Sequence, residues 1–220
     1  MPTVSDKTVG RLSLYRRLLV EASAKGVRNM YSHELARLAG VSAAQVRRDF
    51  MAVGYRGTPI HGYVVAELLG SISGLLDAPG PQKLALVGVG NLGRAILAYF
   101  AGRHATLSFA AAFDSDPAKA DRVIRGCRCY AMAELGKVVA AEDIKAAVIA
   151  VPAENAQEVA EQLVAAGVTS ILNFAPTTLR VKPTVYVEHY DLTTSIERVA
   201  FHARARLQSK EFGGDTDKGN

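Results

Sequence analysis

The stretch Lys83-Leu84-Ala85-Leu86-Val87-Gly88-Val89-Gly90-Asn91-Leu92-Gly93 decides the fold. Its first five residues read as a short apolar strand. It ends in a Gly-x-Gly-x-x-Gly run, and a helix through Ile96, Leu97 and Phe100 follows. A Gly-x-Gly-x-x-Gly alone is a weak signal; between a strand and a helix each glycine acquires a task. Gly88 permits the tight turn, Gly90 lets the backbone approach a pyrophosphate, and Gly93 lets helix and sheet pack closely. The helix N-terminus then offers free amides and a favourable dipole to phosphates. A second strand, Ser108–Phe113, ends at Asp114-Ser115-Asp116-Pro117. Asp114 lies 21 residues after Gly93, where a carboxylate can accept hydrogen bonds from the ribose hydroxyls of an adenosine. A 2′-phosphate would be repelled there, and Asp116 adds to the repulsion, so NAD(H) is favoured over NADP(H). Gly88, Val89, Gly90, Asn91, Leu92, Gly93 and Asp114 form the candidate cofactor site.

Working outward toward the C-terminus, the apolar runs Ala146–Val151 and Thr169–Leu172 flank a helix near Gln157–Ala166, and Val185–Val187 adds a further strand. Alternating apolar strands and helices predict an α/β unit with a parallel sheet covered on both faces. Ligands of such sheets lie across the carboxyl ends of the strands, which makes Val151–Glu154 and Asn173–Pro176 candidates to line the site. Neither segment supplies the proton donor or acceptor a dehydrogenase needs beside its hydride; His189 and Tyr186 are the nearest groups and read better as structural. Past Asp191, the residues Leu192, Ile196, Val199, Ala200, Ala203 and Leu207 form an apolar stripe at helical spacing. That stripe must be buried, either on its own domain or on a partner subunit.

Toward the N-terminus the pattern changes to short helices. Leu12, Tyr15, Leu19 and Ala22 recur at helical spacing, with Gly26 as a stop. A second helix runs from Ser32 to before Gly40. The third is marked by Ser42-Ala43-Ala44-Gln45, which has the form of a capping box: the Ser hydroxyl accepts from the Gln45 amide and the Gln side chain reaches back. A helix, a short turn with Gly40 and a capped helix make a helix-turn-helix. At 100° per residue, Val46 and Phe50 face inward, whereas Ala44, Arg47, Arg48 and Met51 face outward. Small side chains beside two arginines suit a helix that approaches a groove. The following run, Gly54 to Tyr63, suits a β-hairpin wing or an irregular loop, and an apolar helix through Val64, Leu68, Leu69, Ile72 and Leu75 comes next. Ala78-Pro79-Gly80-Pro81 is the natural boundary.

Charge follows the same division. The 220 residues carry a net +5, but residues 1–57 hold ten Lys/Arg against four Asp/Glu and residues 58–220 hold sixteen against seventeen. The surplus of +6 in the N-terminal quarter is a reason to expect a phosphate-bearing polymer as partner. No apolar run reaches the roughly 18 residues of a membrane span, and the start of the chain lacks the apolar core of a signal peptide; a cytoplasmic protein without membrane contact is expected. Cys127 and Cys129 are too close for an unstrained disulfide and too few for a zinc site. They read as reduced thiols, with a redox-active pair as the alternative, and no metal site is expected.

Taken together, Ser32-x-x-Leu35-Ala36, Gln45-Val46-Arg47-Arg48-Asp49, the spaced Gly54, Gly57 and Gly62-Tyr63, the glycine run 88–93, Phe113-Asp114-x-Asp116-Pro117 and Ile171-Leu172-Asn173-Phe174-Ala175-Pro176 resemble the Rex family of bacterial redox-sensing transcriptional repressors. The resemblance extends from about Thr8 to Arg206. It implies a winged-helix DNA-binding domain (1–80), a Rossmann NAD(H)-binding domain (81–190) and a C-terminal helix (191–209) exchanged between the subunits of a homodimer, with 210–220 as a disordered tail. It implies a protein without turnover that holds double-stranded operator DNA when NADH is scarce and leaves it when NADH binds. The candidate DNA contacts are Ser42, Ala44, Gln45, Arg47 and Arg48, where Arg48 matches the family's basic recognition-helix residue, together with Arg56. The family's wing commonly carries a basic residue and a further Gly where this chain has Pro59-Ile60-His61; Arg56 is the available substitute. Arg17, Tyr99 and Asp191 resemble a switching set in which Asp191 exchanges a contact with Tyr99 for one with Arg17. Tyr99 is thereby counted with the cofactor site as well. The rival reading of the same residues is an NAD-dependent oxidoreductase with an accessory N-terminal domain.

Overall fold

A computed structural model describes residues 4–58, 61–77, 80–102 and 106–212, with side chains described to residue 204. The chain divides into two compact units, Met1–Gly80 and Pro81–Asn220.

The first unit runs α1 (Asp6–Ala24), β1 (Asn29–Met30), α2 (Ser32–Ala39), α3 (Ala43–Ala52), β2 (Tyr63–Val64) and α4 (Val65–Leu76). Gly40 ends α2 in the left-handed conformation, φ 68°, which lets Ser42 start α3 two residues later. The Ser42 hydroxyl accepts from the Gln45 amide at 3.2 Å. Leu12, Tyr15 and Leu19 of α1 pack with Val46 and Phe50 of α3 and with Leu68 and Ile72 of α4. The Phe50 ring stands edge-on to Tyr15 at 5.6 Å and to Tyr63 at 4.8 Å. It pins α3 to α1 and to the strand that follows the wing; burying one such ring contributes about 1.5–3 kcal/mol. Within the Gly-rich run Thr58 and Gly62 exchange backbone hydrogen bonds of 2.9 and 2.8 Å, and its last residue, Tyr63, opens β2, which pairs antiparallel with β1. Gly57 is required here, because a Cβ would stand 2.6 Å from the Gly62 carbonyl oxygen. Pro59 and Ile60 lie outside the described residues.

The second unit runs β3 (Gln82–Val87), α5 (Asn91–Phe100), β4 (Leu107–Asp114), β5 (Arg122–Ile124), β6 (Cys127–Ala131), α6 (Leu135–Ala141), β7 (Ala146–Ile149), α7 (Ala153–Ala165), β8 (Ser170–Asn173), β9 (Tyr186–His189) and α8 (Leu192–Phe212). The strand order is β5-β6-β4-β3-β7-β8-β9. The expectation of a parallel sheet needs one correction, since β5 pairs antiparallel with β6. The two are joined by the two-residue turn Arg125-Gly126, with φ 51° and 83°, a geometry that matches strand twist and so makes a tight hairpin. Helices α6 and α7 cover one face, around Val87, Phe113, Ile149 and Leu163. Helix α5 covers the other, around Leu86, Val89, Leu97 and Val148. The chain leaves β3 toward β4 on one side and reaches β7 on the other, so the carboxyl end of β3 is the switch point where such sheets bind ligands.

Helix α8 continues to Phe212, three residues beyond the end read from the sequence. Gln208-Ser209-Lys210-Glu211 holds no helix breaker, and the first breakers are Gly213 and Gly214. The remaining tail residues, 213–220, lie outside the described residues.

Candidate nucleotide site and nucleic-acid interface

At the carboxyl end of β3, each glycine of the run meets a different neighbour. Gly88 has φ 96°, and a Cβ there would run into the Ala150 carbonyl. A Cβ on Gly93 would collide with the Gly88 carbonyl and stand 3.2 Å from the Leu86 side chain. Gly90 meets nothing within 4 Å, so its backbone faces open space. Helix α5 begins at Asn91, with Asn91 and Leu92 exposed, and its first-turn amides have no partner within the helix. Val89 plays a supporting part: its side chain is fully buried and its N–H donates to Asp114 Oδ2 at 2.7 Å.

Asp114, at the end of β4, is 8% exposed. Its Oδ1 accepts from the Asp116 amide at 2.9 Å and its Oδ2 also accepts from Lys119 Nζ at 3.0 Å. Burial pushes this carboxyl up, but the hydrogen bonds from the Asp116 amide, Lys119 and Val89 outweigh it and hold the group below the ordinary carboxylate value. Asp114 thus braces the glycine loop in addition to facing the site. Lys119 stands 3.8 Å from Asp116 as well, so a cation offsets the negative field that the sequence assigns to this corner. Repulsion of a 2′-phosphate at this corner is correspondingly weaker than the two carboxylates alone would give.

These groups open on a cavity of about 400 Å³. Gly88, Gly90, Asp114, Ser115 and Lys119 form one wall; Val151 and Pro152 lie at the end of β7; Asn155, Glu158 and Gln162 of α7 form the other wall. The residues fit an adenine dinucleotide: glycines where a Cβ is forbidden, an open backbone at Gly90, a carboxylate for ribose hydroxyls and a cation beside it. Of the two segments expected to line the site, the one at Val151 does. The one at Asn173 is used differently, because the buried Asn173 amide donates to the Ala175 and Thr177 carbonyls and closes its own turn. Lys119 and the α7 residues carry no motif and are invisible to a search for glycine patterns.

In the first unit, Ala44, Arg47, Arg48 and Met51 are exposed on α3, with Val46 and Phe50 buried, as the helical wheel requires. Ser42 and Arg56 are exposed too. Arg47 Nη1 donates to the Ser32 hydroxyl at 3.2 Å, tying α3 to the start of α2. The capping box is only half built. Gln45 does not reach back to the cap; its Nε2 donates to Asp49 Oδ1 at 2.9 Å and its Oε1 accepts from Arg48 Nη2 at 2.7 Å. Asp49 is 2% exposed and takes a two-pronged contact from Arg11, Nε and Nη2 each at 2.7 Å, and a bond from the Tyr15 hydroxyl at 3.0 Å. Burial raises the Asp49 carboxyl, and the bonds from Arg11, Gln45 and Tyr15 more than reverse it, leaving it below the ordinary value. A lone charged residue on an otherwise apolar helix face is the sequence signal for such a pair.

The members of the switching set lie in different units. Arg17 is exposed on α1. Tyr99 is 56% exposed on α5, its ring edge-on to Phe100. Asp191 caps α8, with Oδ1 accepting from the Thr194 amide at 3.1 Å and Oδ2 from its hydroxyl at 2.6 Å. The α8 stripe is not packed on its own unit: Leu192, Ile196 and Val199 are 55%, 60% and 71% exposed, and the side chain of Leu207 lies outside those described. Cys127 and Cys129 are buried free thiols; burial, with Cys129 nearby, pushes the Cys127 thiol up to about 11. Among the described residues no group of three or more His, Cys, Asp or Glu could hold a metal, and no helix is long and apolar enough to cross a membrane.

Two family models match the chain: "CoA binding domain" over residues 80–177 and "Putative DNA-binding protein N-terminus" over residues 3–50. Among curated relatives, the redox-sensing transcriptional repressor Rex of Rhodopirellula baltica is 40% identical over 92% of this chain and 86% of the relative. That of Streptomyces coelicolor is 41% identical over 96% and 82%. Among solved structures, RSP, a Rex-family repressor, in complex with β-NAD⁺ and operator DNA superposes with a TM-score of 0.86 at 30% identity, covering 98% of this chain and all of the other. The same repressor with β-NADH gives 0.84 at 29% identity, over 96% of this chain. A nucleotide cavity braced by Asp114, an exposed arginine pair on a helix-turn-helix and relatives of this similarity over nearly the whole chain lead to one conclusion: the chain belongs to the Rex family of redox-sensing transcriptional repressors.

Proposed function

We propose that this chain is a homodimeric, cytoplasmic transcriptional repressor that reads the NADH/NAD⁺ ratio, holding operator DNA when NADH is scarce and releasing it when NADH fills the cavity at the end of β3. The observation that carries the reading is the pairing, in one chain, of a glycine cradle that forbids side chains at Gly88 and Gly93 with an exposed Arg47/Arg48 pair on a capped helix. Gly90, Asn91 and Leu92 present the amides that receive the pyrophosphate, and Asp114 with Lys119 faces the adenosine ribose. Bound NAD(H) supplies a ring whose charge reports its redox state. A ligand moves a conformational equilibrium only through its differential affinity. The apolar walls at Val151 and Pro152 accept a neutral dihydronicotinamide at lower desolvation cost than the cationic ring of NAD⁺.

Ser42, Ala44 and Arg48 meet the major groove and Arg47 its phosphates, with Gln45 acting on the groove through Arg48 and Arg56 at the wing. The stripe Leu192-Ile196-Val199 on α8 is covered by a second copy through exchange of the helix over 191–209. On the face of the sheet that α5 leaves open, an apolar cavity of about 280 Å³ between Ile96, Leu172 and Phe174 offers unfilled apolar surface for the dimer to cover. Arg17, Tyr99 and Asp191 serve as the switch. The oxidoreductase reading is not favoured, since the relatives carry the names of repressors. The test is an anisotropy titration at fixed salt, using a labelled duplex enriched from a random library by the wild-type protein. NADH is expected to release the protein at far lower concentration than NAD⁺; equal potency of the two would refute redox sensing.

A further inference from the structure

Gln45 and Arg48 sit on the exposed side of α3, yet they end a hydrogen-bond chain that begins in the core. Its first link is the two-pronged Arg11–Asp49 contact, both distances 2.7 Å, closed from the side by the Tyr15 hydroxyl. Its second is Gln45 Nε2 to Asp49 Oδ1 at 2.9 Å, and its third is Arg48 Nη2 to Gln45 Oε1 at 2.7 Å. The polarity of this chain is forced. An ionised carboxylate can only accept, so Gln45 must turn its NH₂ toward Asp49. That leaves the amide oxygen facing the other way, where it receives one N–H of the Arg48 guanidinium. Reversal of the amide would place an oxygen against a buried carboxylate and an NH₂ against a cation. One fixed acid in the core thereby selects one orientation of a surface arginine whose side chain is otherwise free to sample many rotamers.

We propose that Asp49 is a positioning residue for DNA reading: through Gln45 it aims the Arg48 guanidinium, leaving its unused N–H groups in a fixed fork for the O6 and N7 acceptors of a guanine. The inference rests on the reading of α3 as the DNA helix. Arg47, tied to Ser32, is not part of the chain and serves the phosphates. An aimed fork adds to discrimination among bases and little to the number of phosphates neutralised. Removing a link therefore lowers sequence preference and leaves the salt dependence of binding in place.

The test uses the full-length protein in four forms: wild type, Gln45→Met, Arg48→Ala and the double variant. Each is titrated with the enriched duplex and with a scrambled duplex at several salt concentrations. Gln45→Met keeps the side-chain length and leaves Arg11–Asp49 intact, so folding is preserved; Asp49→Asn is the second probe, accepted only with an unchanged melting temperature. Gln45→Met is expected to lower the preference for the enriched duplex about tenfold, within the discrimination of one two-pronged base contact. The salt slope should stay unchanged, and in the Arg48→Ala background Gln45→Met should have no further effect. Asp49→Asn should show the same loss. A full Gln45→Met effect in the Arg48→Ala background would mean that Gln45 touches DNA by itself and would overturn the proposal, as would an unchanged preference or a reduced salt slope in the single variant. Failure of the wild type to prefer the enriched duplex would instead overturn the DNA-binding reading on which the proposal rests.

Discussion

Among the described residues, each unit of this protein buries one carboxylate against one cation, and the two pairs are built differently. Asp49 meets Arg11 through two bonds of 2.7 Å, with Tyr15 and Gln45 filling its remaining acceptor sites. Asp114 meets Lys119 through one contact of 3.0 Å, and the same lysine reaches toward Asp116 at 3.8 Å. A guanidinium holds a carboxylate in a fixed planar fork, whereas an ammonium is a point charge on a flexible stem. The first pair lies in a helical core beneath the α3 surface proposed to meet DNA, which it holds in shape. The second lines the cavity, where on the proposed reading an entering ribose takes over hydrogen bonds that the lysine makes. Rigidity is thus placed beneath the proposed reading surface, and exchangeable contacts at the proposed sensing site.

The largest expected effect comes from breaking the rigid pair. Arg11→Met leaves Asp49 buried without its cation, and loss of one partner of a buried pair costs about 3–5 kcal/mol; the 23% exposure of Arg11 favours the lower end. Urea unfolding should show this loss in the first unit, with NADH affinity of the second unit unchanged. A loss below about 1 kcal/mol would show that the pair is not the brace described.

Next comes Gly93→Ala, which forces a methyl group into the Gly88 carbonyl. Overpacking of this kind costs about 1–3 kcal/mol and should weaken NADH about tenfold or more by calorimetry. Asp114→Asn follows. It puts an NH₂ where every neighbour is already a donor, so Asp116 at one oxygen, or Val89 and Lys119 at the other, lose their acceptor. NADH affinity should fall about tenfold, near 1.4 kcal/mol; an undiminished affinity would remove Asp114 from the site.

Acid should treat the two pairs alike. Both carboxyls lie below their ordinary value in the folded protein, so their contribution is complete above the unfolded pKa of about 4 and is lost as pH falls through and below it. Thermal melts should therefore show no stability change from these groups between about pH 6 and 8, and a decline below about pH 4.5. The smallest effect is expected at the thiols. With the Cys127 thiol pushed up to about 11 and both sulfurs buried, a thiol reagent should leave the native protein and its NADH response unchanged at pH 7. Fast labelling of the folded chain would contradict that.

Much of this division was legible in the residues alone. The strand-glycine-helix run, the spacing to Asp114 and the inward face of α3 follow from short-range rules of period and turn, and the structure has them in place. What stayed hidden depends on distance in the chain. Nothing near Asp49 announces that Arg11, thirty-eight residues earlier, is its partner, and the Ser-x-x-Gln pattern pointed Gln45 toward a cap because a buried acid one turn later is a tertiary fact. Lys119 reverses part of the charge argument at Asp114 for the same reason: the count of carboxylates was right, but the cation folded over them was not in the pattern. The Arg125-Gly126 hairpin was missed because its turn lacks the Asn-Gly or Asp-Gly signature.

On the proposed function, reading and sensing reside in separate units coupled by NADH. The most direct measurement compares wild type with Gly93→Ala in one anisotropy experiment on the enriched duplex, with and without saturating NADH. Equal DNA affinity is expected without NADH, and with NADH a release of wild type that the variant does not share. The proposed function is contradicted if NADH leaves wild-type affinity unchanged, or if Gly93→Ala abolishes DNA binding before any NADH is added.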